Sequence, residues 1–364
     1  MVTQRFRNTE DPGLDELYGD MADADLQPLW LQKGLLPRMP NGLSPHIWRW
    51  KTLRALAERS GDLVGIDRGG DRRVLALAHP DLRGEPFATH TLWGAIQYLN
   101  AGELAPAHRH SPAALRFVLE GTGVWTLVDG DPVLMEPGDL VLTPSYNWHE
   151  HHNPGNTPMI WFDGLDLPLV RNLDAVFFEE GPDEPTDYAQ VRTSRSEHRF
   201  GMAGMQPVGH VRAVQHPASG RHSPLLTYRW AATDAALTSM LDAGAAGWAA
   251  ARYVDPATGG DIMPTLRSEM HRVLAGHRTP TTRTVGGGLW VVHSGSGASV
   301  IGGVRFPWAA GDVFVVPSWA AVDHEATENA DLFLLSDGPM VEAAGLGRTE
   351  TLPEHQHVTG TVAG

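Results

Sequence analysis

The stretch Gly102-Glu-Leu-Ala-Pro-Ala-His108-Arg-His110, answered downstream by Pro137-Gly138-Asp139-Leu-Val-Leu-Thr-Pro144-Ser-Tyr-Asn-Trp-His149 and closed by His151 and Asn153, decides how the chain reads. Residues i and i+2 of a strand share a face. His108 and His110 therefore aim two imidazoles at one point. Between the halves, Arg116-Phe-Val-Leu-Glu-Gly121 and Gly123-Val-Trp-Thr-Leu-Val-Asp129-Gly130 read as short strands joined by glycine turns, with Asp129-Gly130 as a hairpin signal. Such a meander returns a third histidine, His149, to face the first two. Three neutral imidazoles converging in a closed barrel suit a divalent transition metal.

The same stretch resembles the cupin signature. Gly102, His108 and His110 fit G(X)5HXH, and Gly138, Pro144, His149 and Asn153 fit G(X)5P(X)4H(X)3N. Tyr146 stands where the second motif usually has glycine. The first motif normally adds a glutamate four or five residues after its second histidine, where this chain has Ala114 and Leu115. The expected site thus has three protein ligands, not four.

Composition narrows the function classes. The 364 residues leave room for two domains. A net charge of −15 offers no basic stripe for nucleic acid or an anionic membrane. There is no cysteine, which excludes disulfides and thiolate chemistry. The polar start has no apolar signal core, and no apolar run approaches a membrane span. The expected location is the cytoplasm.

The chain carries a repeat. Ser223-Pro224 and Tyr228-Arg229-Trp230 echo Ser44-Pro45 and Trp48-Arg49-Trp50, each pair leading into a helical pattern; the first places Leu53, Leu56 and Ala57 on one face. Asp255-Pro256 echoes His79-Pro80 at an offset of 176, Gly276 echoes Gly102 at 174, and Gly311-Asp312 with Pro317 echoes Gly138-Asp139 with Pro144 at 173. A steady offset means a duplicated unit. The expected fold is mainly β: a bicupin of two double-stranded β-helix (jelly-roll) barrels with an N-terminal helical segment. Expected bounds are a helical arm over 1–62, barrel one over 63–180, a Pro/Gly-rich linker over 181–224, barrel two over 225–345 and a tail over 346–364. Thr282, Thr284 and Val322 fall at the positions of His108, His110 and His149, so the second barrel has lost its metal site. His293 and His324 remain there, off the ligand positions.

A narrower resemblance follows from Trp93-Gly-Ala-Ile-Gln97-Tyr-Leu, His108-Arg-His110-Ser, Arg116-Phe-Val-Leu-Glu-Gly, Trp161-Phe-Asp163-Gly-Leu-Asp166 and Asp261-Ile-Met-Pro-Thr-Leu-Arg267. These look like the gentisate 1,2-dioxygenase family, which includes salicylate and 1-hydroxy-2-naphthoate dioxygenases. The resemblance implies Fe(II), O2, and an aromatic 2-hydroxy acid cleaved between its carboxyl-bearing and hydroxyl-bearing carbons, in a homotetramer. It assigns His108, His110 and His149 to the metal. Arg116 falls on the inward face if its strand is unbroken, and its planar fork suits a substrate carboxylate. His151 matches an acid–base histidine. Arg72, Trp93, Gln97 and Asp163 match pocket positions, with Asp163 orienting an arginine or histidine, and Ala95 and Val74 lie where substrate choice can be biased. Ligand count alone does not separate iron from zinc. A bicupin isomerase or a binding protein without turnover is the alternative class; isomerase cupins commonly keep the carboxylate ligand absent here.

Overall fold

The computed structural model describes residues 11–31, 42–65, 73–182, 184–201 and 222–363. The chain divides into two compact units, Met1–Asn41 and Gly42–Gly364. In the first, helix Pro12–Asp23 starts with proline in its first turn, and Asp11 caps it by accepting from the amides of Gly13 and Leu14. Its one buried residue, Tyr18, accepts a hydrogen bond from Trp30 Nε1 at 3.2 Å.

The larger unit is mainly β and holds the two expected barrels. One wall of the first is a six-stranded sheet, in the order Thr227–Tyr228, Leu140–Thr143, Ala114–Glu120, Met159–Leu165, Trp93–Leu99, Val74–Ala76. The opposite wall has five strands: Phe178–Glu180, Leu104–His110, His149–His152, Trp125–Val128 and Asp131–Leu134. The second barrel repeats the plan with two six-stranded sheets. Alternation sorts the side chains. Val118, Val141 and Trp161 fill the first barrel, while Leu115, Phe117 and Phe162 point outward and meet Leu289, Phe333 and Leu335 of the second. Phe117 and Phe333 stack at 4.3 Å across that seam.

The repeats exchange strands. His46–Trp48, which precedes the first barrel, pairs with Val313–Val316 of the second; Thr227–Tyr228, which precedes the second, pairs with Leu140–Val141 of the first. Each exchange is locked alike. Asp139 accepts from the Trp230 amide at 2.8 Å and Arg229 Nη1 at 2.7 Å. Asp312 accepts from the Trp50 amide at 2.7 Å and Arg49 Nη1 at 3.1 Å. The glycine before each aspartate has a positive φ, and a Cβ there would sit 2.8 Å from Trp230 Cγ at Gly138 and 2.2 Å from Trp50 Cγ at Gly311. A second reciprocal pair crosses the seam: Thr265 Oγ1 donates to Asp166 Oδ2 and Thr91 Oγ1 to Asp337 Oδ2, both at 2.5 Å.

Several details differ from the sequence reading. In helix Trp50–Leu63, Leu53 and Ala57 are buried but Leu56 is 48% exposed. The stretch read as a linker contains helix Arg195–Phe200, closed by a capping box at Ser194 and Glu197, and the Arg195 and Ser196 amides both donate to Asp131 of the first barrel. Residues 202–221 of that linker lie outside the described residues. The last residues add strands Thr349–Thr351 and Gly360–Thr361 to the second barrel. No helix among the described residues is long and apolar enough to cross a membrane.

Arg229→Ala strands the buried Asp139 carboxylate without its cation. We expect a loss of about 3 kcal/mol of unfolding free energy, measured by urea titration of the full chain. A loss within error of zero would show that the lock is not needed for stability.

Candidate metal centre and substrate pocket

His108 and His149 face each other across paired strands, and His110 lies two residues along on the same face. The ring centroids are 4.3 Å apart for His108–His149, 4.9 Å for His110–His149 and 5.6 Å for His108–His110. One nitrogen from each ring lies within 4.8 Å of the other two. Backbone carbonyls set the tautomers. Nδ1 of His108 is 3.0 Å from Pro106 O, Nδ1 of His110 2.8 Å from Pro112 O and Nδ1 of His149 3.0 Å from Asn147 O. A carbonyl only accepts, so each Nδ1 carries the hydrogen and each Nε2 keeps a lone pair. His149 Nε2 is buried with no partner. Burial pushes His110 down to about 4 and His149 well below its ordinary value, helped by Arg116 nearby. Three nitrogen donors pre-oriented by backbone carbonyls fit a divalent transition metal. Among the described residues this is the one such group, and it contains no carboxylate.

Tyr146 occupies the motif's glycine position with φ +64°, as does Trp319 in the second barrel. The backbone there is left-handed, which explains the glycine usual at this position.

The six-stranded wall brings the other candidates together. Arg116 is opposite Asp163, Asp163 opposite Ala95, Trp161 opposite Gln97, and Trp93 opposite Leu165, so all share the inward face. Arg116 is buried; its Nη1 donates to Thr143 Oγ1, and its Nε lies 3.6 Å from Asp163 Oδ1 without a hydrogen bond. Asp163 accepts from Trp161 Nε1 at 2.9 Å. Burial outweighs the nearby arginine and lifts Asp163 to about 6. His151 is buried beside Trp161, with ring centroids 5.4 Å apart. Its Nδ1 is 2.8 Å from Thr126 Oγ1, and its Nε2 has no partner. Gln97 is buried and Trp93 half-buried at its strand's start. His152 turns away to Glu150 at 2.8 Å. Arg72 lies outside the described residues.

Thr126 and Thr143, which hold His151 and Arg116, were missed by sequence reasoning. Thr126 was reachable, since Trp125–Val128 alternates; Thr143 carries no such signal, because its role comes from pairing opposite Ala114.

A three-histidine face in the first of two barrels defines a metal-binding bicupin. The cupin domain family matches residues 95–165. Gentisate 1,2-dioxygenase from Streptomyces sp. is 49% identical over 96% of this chain and 98% of its own length. 5-Aminosalicylate 1,2-dioxygenase from Comamonas sp. is 34% identical over 95% and 93%. The crystal structure of salicylate 1,2-dioxygenase from Pseudoaminobacter salicylatoxidans in adducts with gentisate superposes with TM-score 0.90 at 45% identity, over 97% of this chain and 98% of that one. The chain belongs to the gentisate 1,2-dioxygenase family of ring-cleaving dioxygenases.

His149→Ala removes one ligand and unburies none of the core. We expect metal content near zero by elemental analysis, with an unchanged circular dichroism spectrum; wild-type metal content would remove His149 from the site. A pH dependence follows too. An unfolded histidine protonates near 6.5, whereas folded His110 does so at about 4. Between these values the unfolded chain binds the extra proton. Stability of the metal-free protein therefore falls as pH drops from about 6.5 to about 4, by about 1.4 kcal/mol per pH unit from this residue. Urea unfolding at pH 7 and 5 should show a smaller drop in His110→Asn than in wild type. Equal drops would contradict the burial argument.

Proposed function

We propose that the protein is an Fe(II)-dependent dioxygenase that opens gentisate (2,5-dihydroxybenzoate) between its carboxyl-bearing and hydroxyl-bearing carbons, giving maleylpyruvate and incorporating both atoms of O2. The observation that carries this reading is the buried arginine on the wall facing three neutral imidazoles: one positive charge beside a metal site, inside an apolar barrel. The 49% identical Streptomyces relative supports gentisate among the 2-hydroxy acids. Salicylate and 1-hydroxy-2-naphthoate are the alternatives, carried by a salicylate dioxygenase structure and by a 1-hydroxy-2-naphthoate relative 35% identical over 84% of this chain.

His108, His110 and His149 would hold the metal through Nε2. Fe(II) held there would supply a chelation point for the substrate's carboxylate and phenol oxygens and an electron path between ring and O2. Arg116 orients the ring by pairing its fork with the carboxylate. Asp163 positions Arg116: at 3.6 Å it is close enough to hold the guanidinium and too far to satisfy it. His151, neutral and with a free Nε2, exchanges a proton with the phenol oxygen. Trp161 and Val118 exclude water; Gln97 and Trp93 border the ring, and Ala95 and Val74 lie on the strands where substituents are told apart.

The protein works in the cytoplasm as a homotetramer, without nucleic acid or membrane. The acidic charge and absence of cysteine support this location, and the exposed apolar run Leu173, Val176, Phe177 and Phe178, beside His108, supports contact with another copy.

Anaerobic reconstitution with Fe(II), then parallel assays with gentisate, salicylate and 1-hydroxy-2-naphthoate, tests the reading: gentisate should give the fastest rise in near-ultraviolet product absorbance. Silence with all three on iron-loaded protein would overturn it. Arg116→Lys should raise KM for gentisate by about tenfold or more, because an ammonium cannot reproduce the two parallel hydrogen bonds. Unchanged KM and kcat would place Arg116 outside the pocket.

A further inference from the structure

The second barrel, without metal ligands, encloses a cavity of about 680 Å³, within the range of small-molecule sites. Strand pairing equates its interior with that of the first barrel. Thr282 faces Val322 as His108 faces His149. Trp290 sits between Phe314 and Leu334 as Arg116 sits between Val141 and Asp163. Ser299 faces His324 as Thr126 faces His151. Thr282, Val322, Trp290, Leu334 and His324 all line the cavity. The metal ligands have become hydroxyl and methyl groups, and the buried Arg–Asp pair has become an indole and a leucine. The inward histidine has been kept.

His324 is buried, with Nδ1 2.7 Å from Ser299 Oγ. Trp308 Nε1 donates to the same oxygen at 2.9 Å. The Ser299 hydroxyl thus pins Nδ1, and the ring's other nitrogen, Nε2, is a buried atom with no partner. Burial keeps the ring neutral, pushed down to about 3. On the opposite wall, that of Trp290, Glu269 accepts from Arg252 Nε at 3.1 Å and sits 3.0 Å from His271 Nε2. Burial works against its charge, but these partners outweigh it and hold the carboxyl at about 2. Arg267 is paired on both sides, with Asp261 and Glu342, at 2.7 to 2.8 Å. Among the described wall residues, then, no buried cation is left over for a ligand carboxylate.

We propose that the second barrel is a binding site for an uncharged hydroxylated aromatic ring, a phenol-class small molecule that lies against Trp290 with its hydroxyl hydrogen-bonded to His324 Nε2. A first-barrel type of ligand is refused, because both the metal and the carboxylate anchor are gone. The ionised Glu269 is present to accept a hydroxyl hydrogen and repels an acid.

The test uses the full chain, metal-free and iron-loaded, with 4-fluorophenol followed by fluorine NMR. Saturable binding is expected in both forms and in His149→Ala. Val322→Trp, which fills the cavity, and His324→Leu, which removes the hydrogen-bond partner, should each weaken it by about tenfold or more, with an unchanged thermal transition as the check on folding. If the tryptophan variant does not fold, His324→Leu carries the test alone. Any binding of 4-fluorobenzoate, whose carboxylate suits Arg116 of the first barrel, should be indifferent to both substitutions. Absence of 4-fluorophenol binding, its indifference to both substitutions, its loss in His149→Ala, or 4-fluorobenzoate binding weakened by the same two substitutions would each overturn the proposal.

Discussion

The exchange of strands between the repeats is the constraint on which the molecule depends. Neither barrel is complete from its own stretch of chain: each takes an edge strand from the segment leading into the other, and an aspartate in each receives the arginine and tryptophan amide that follow the exchanged strand. Because these aspartates are buried, the locks do more than surface ion pairs, which contribute little. They press two six-stranded sheets together along a seam of leucine and phenylalanine. The inner face of one of those sheets carries Arg116, Asp163 and Gln97. A second barrel without metal ligands is therefore still required: it backs the wall that aims the first barrel's polar groups.

Inside that wall the electrostatics are spare. Imidazoles removed from water give up their protons, and His110 and His149 are held neutral in this way. Arg116 keeps its charge despite burial, and Asp163 across the sheet is lifted to about 6 by the same burial. The pocket has an arginine only loosely matched by its acid, the arrangement from which its proposed pairing with a ligand carboxylate is argued. Had the two formed a tight fork-to-fork bridge, the guanidinium would have had nothing left to offer.

Much of this was legible in the sequence, for a physical reason: strand alternation and turn chemistry are local. The spacing of His108, His110 and His149 gave their convergence, and offsets of 173 to 176 gave the second barrel and its missing ligands. Partnerships set by sheet order were not legible. Asp139 and Asp312 stand at equivalent places in the repeat, but that each serves the other repeat's arginine follows from the exchange alone. Thr265 on Asp166 and Thr91 on Asp337 are hidden in the same way. Leu56 fits an apolar helix face by period and yet is exposed, since the neighbouring sheet covers only Leu53 and Ala57.

The proposed reaction inserts both atoms of O2 into a ring. Turnover of gentisate by the iron-loaded chain under 18O2, with the product's α-keto group reduced at once to stop exchange with water, measures this directly by mass spectrometry. Such a reaction leaves one 18O in the new carboxylate and one at the former α-keto carbon. A product carrying a single label or none would contradict it.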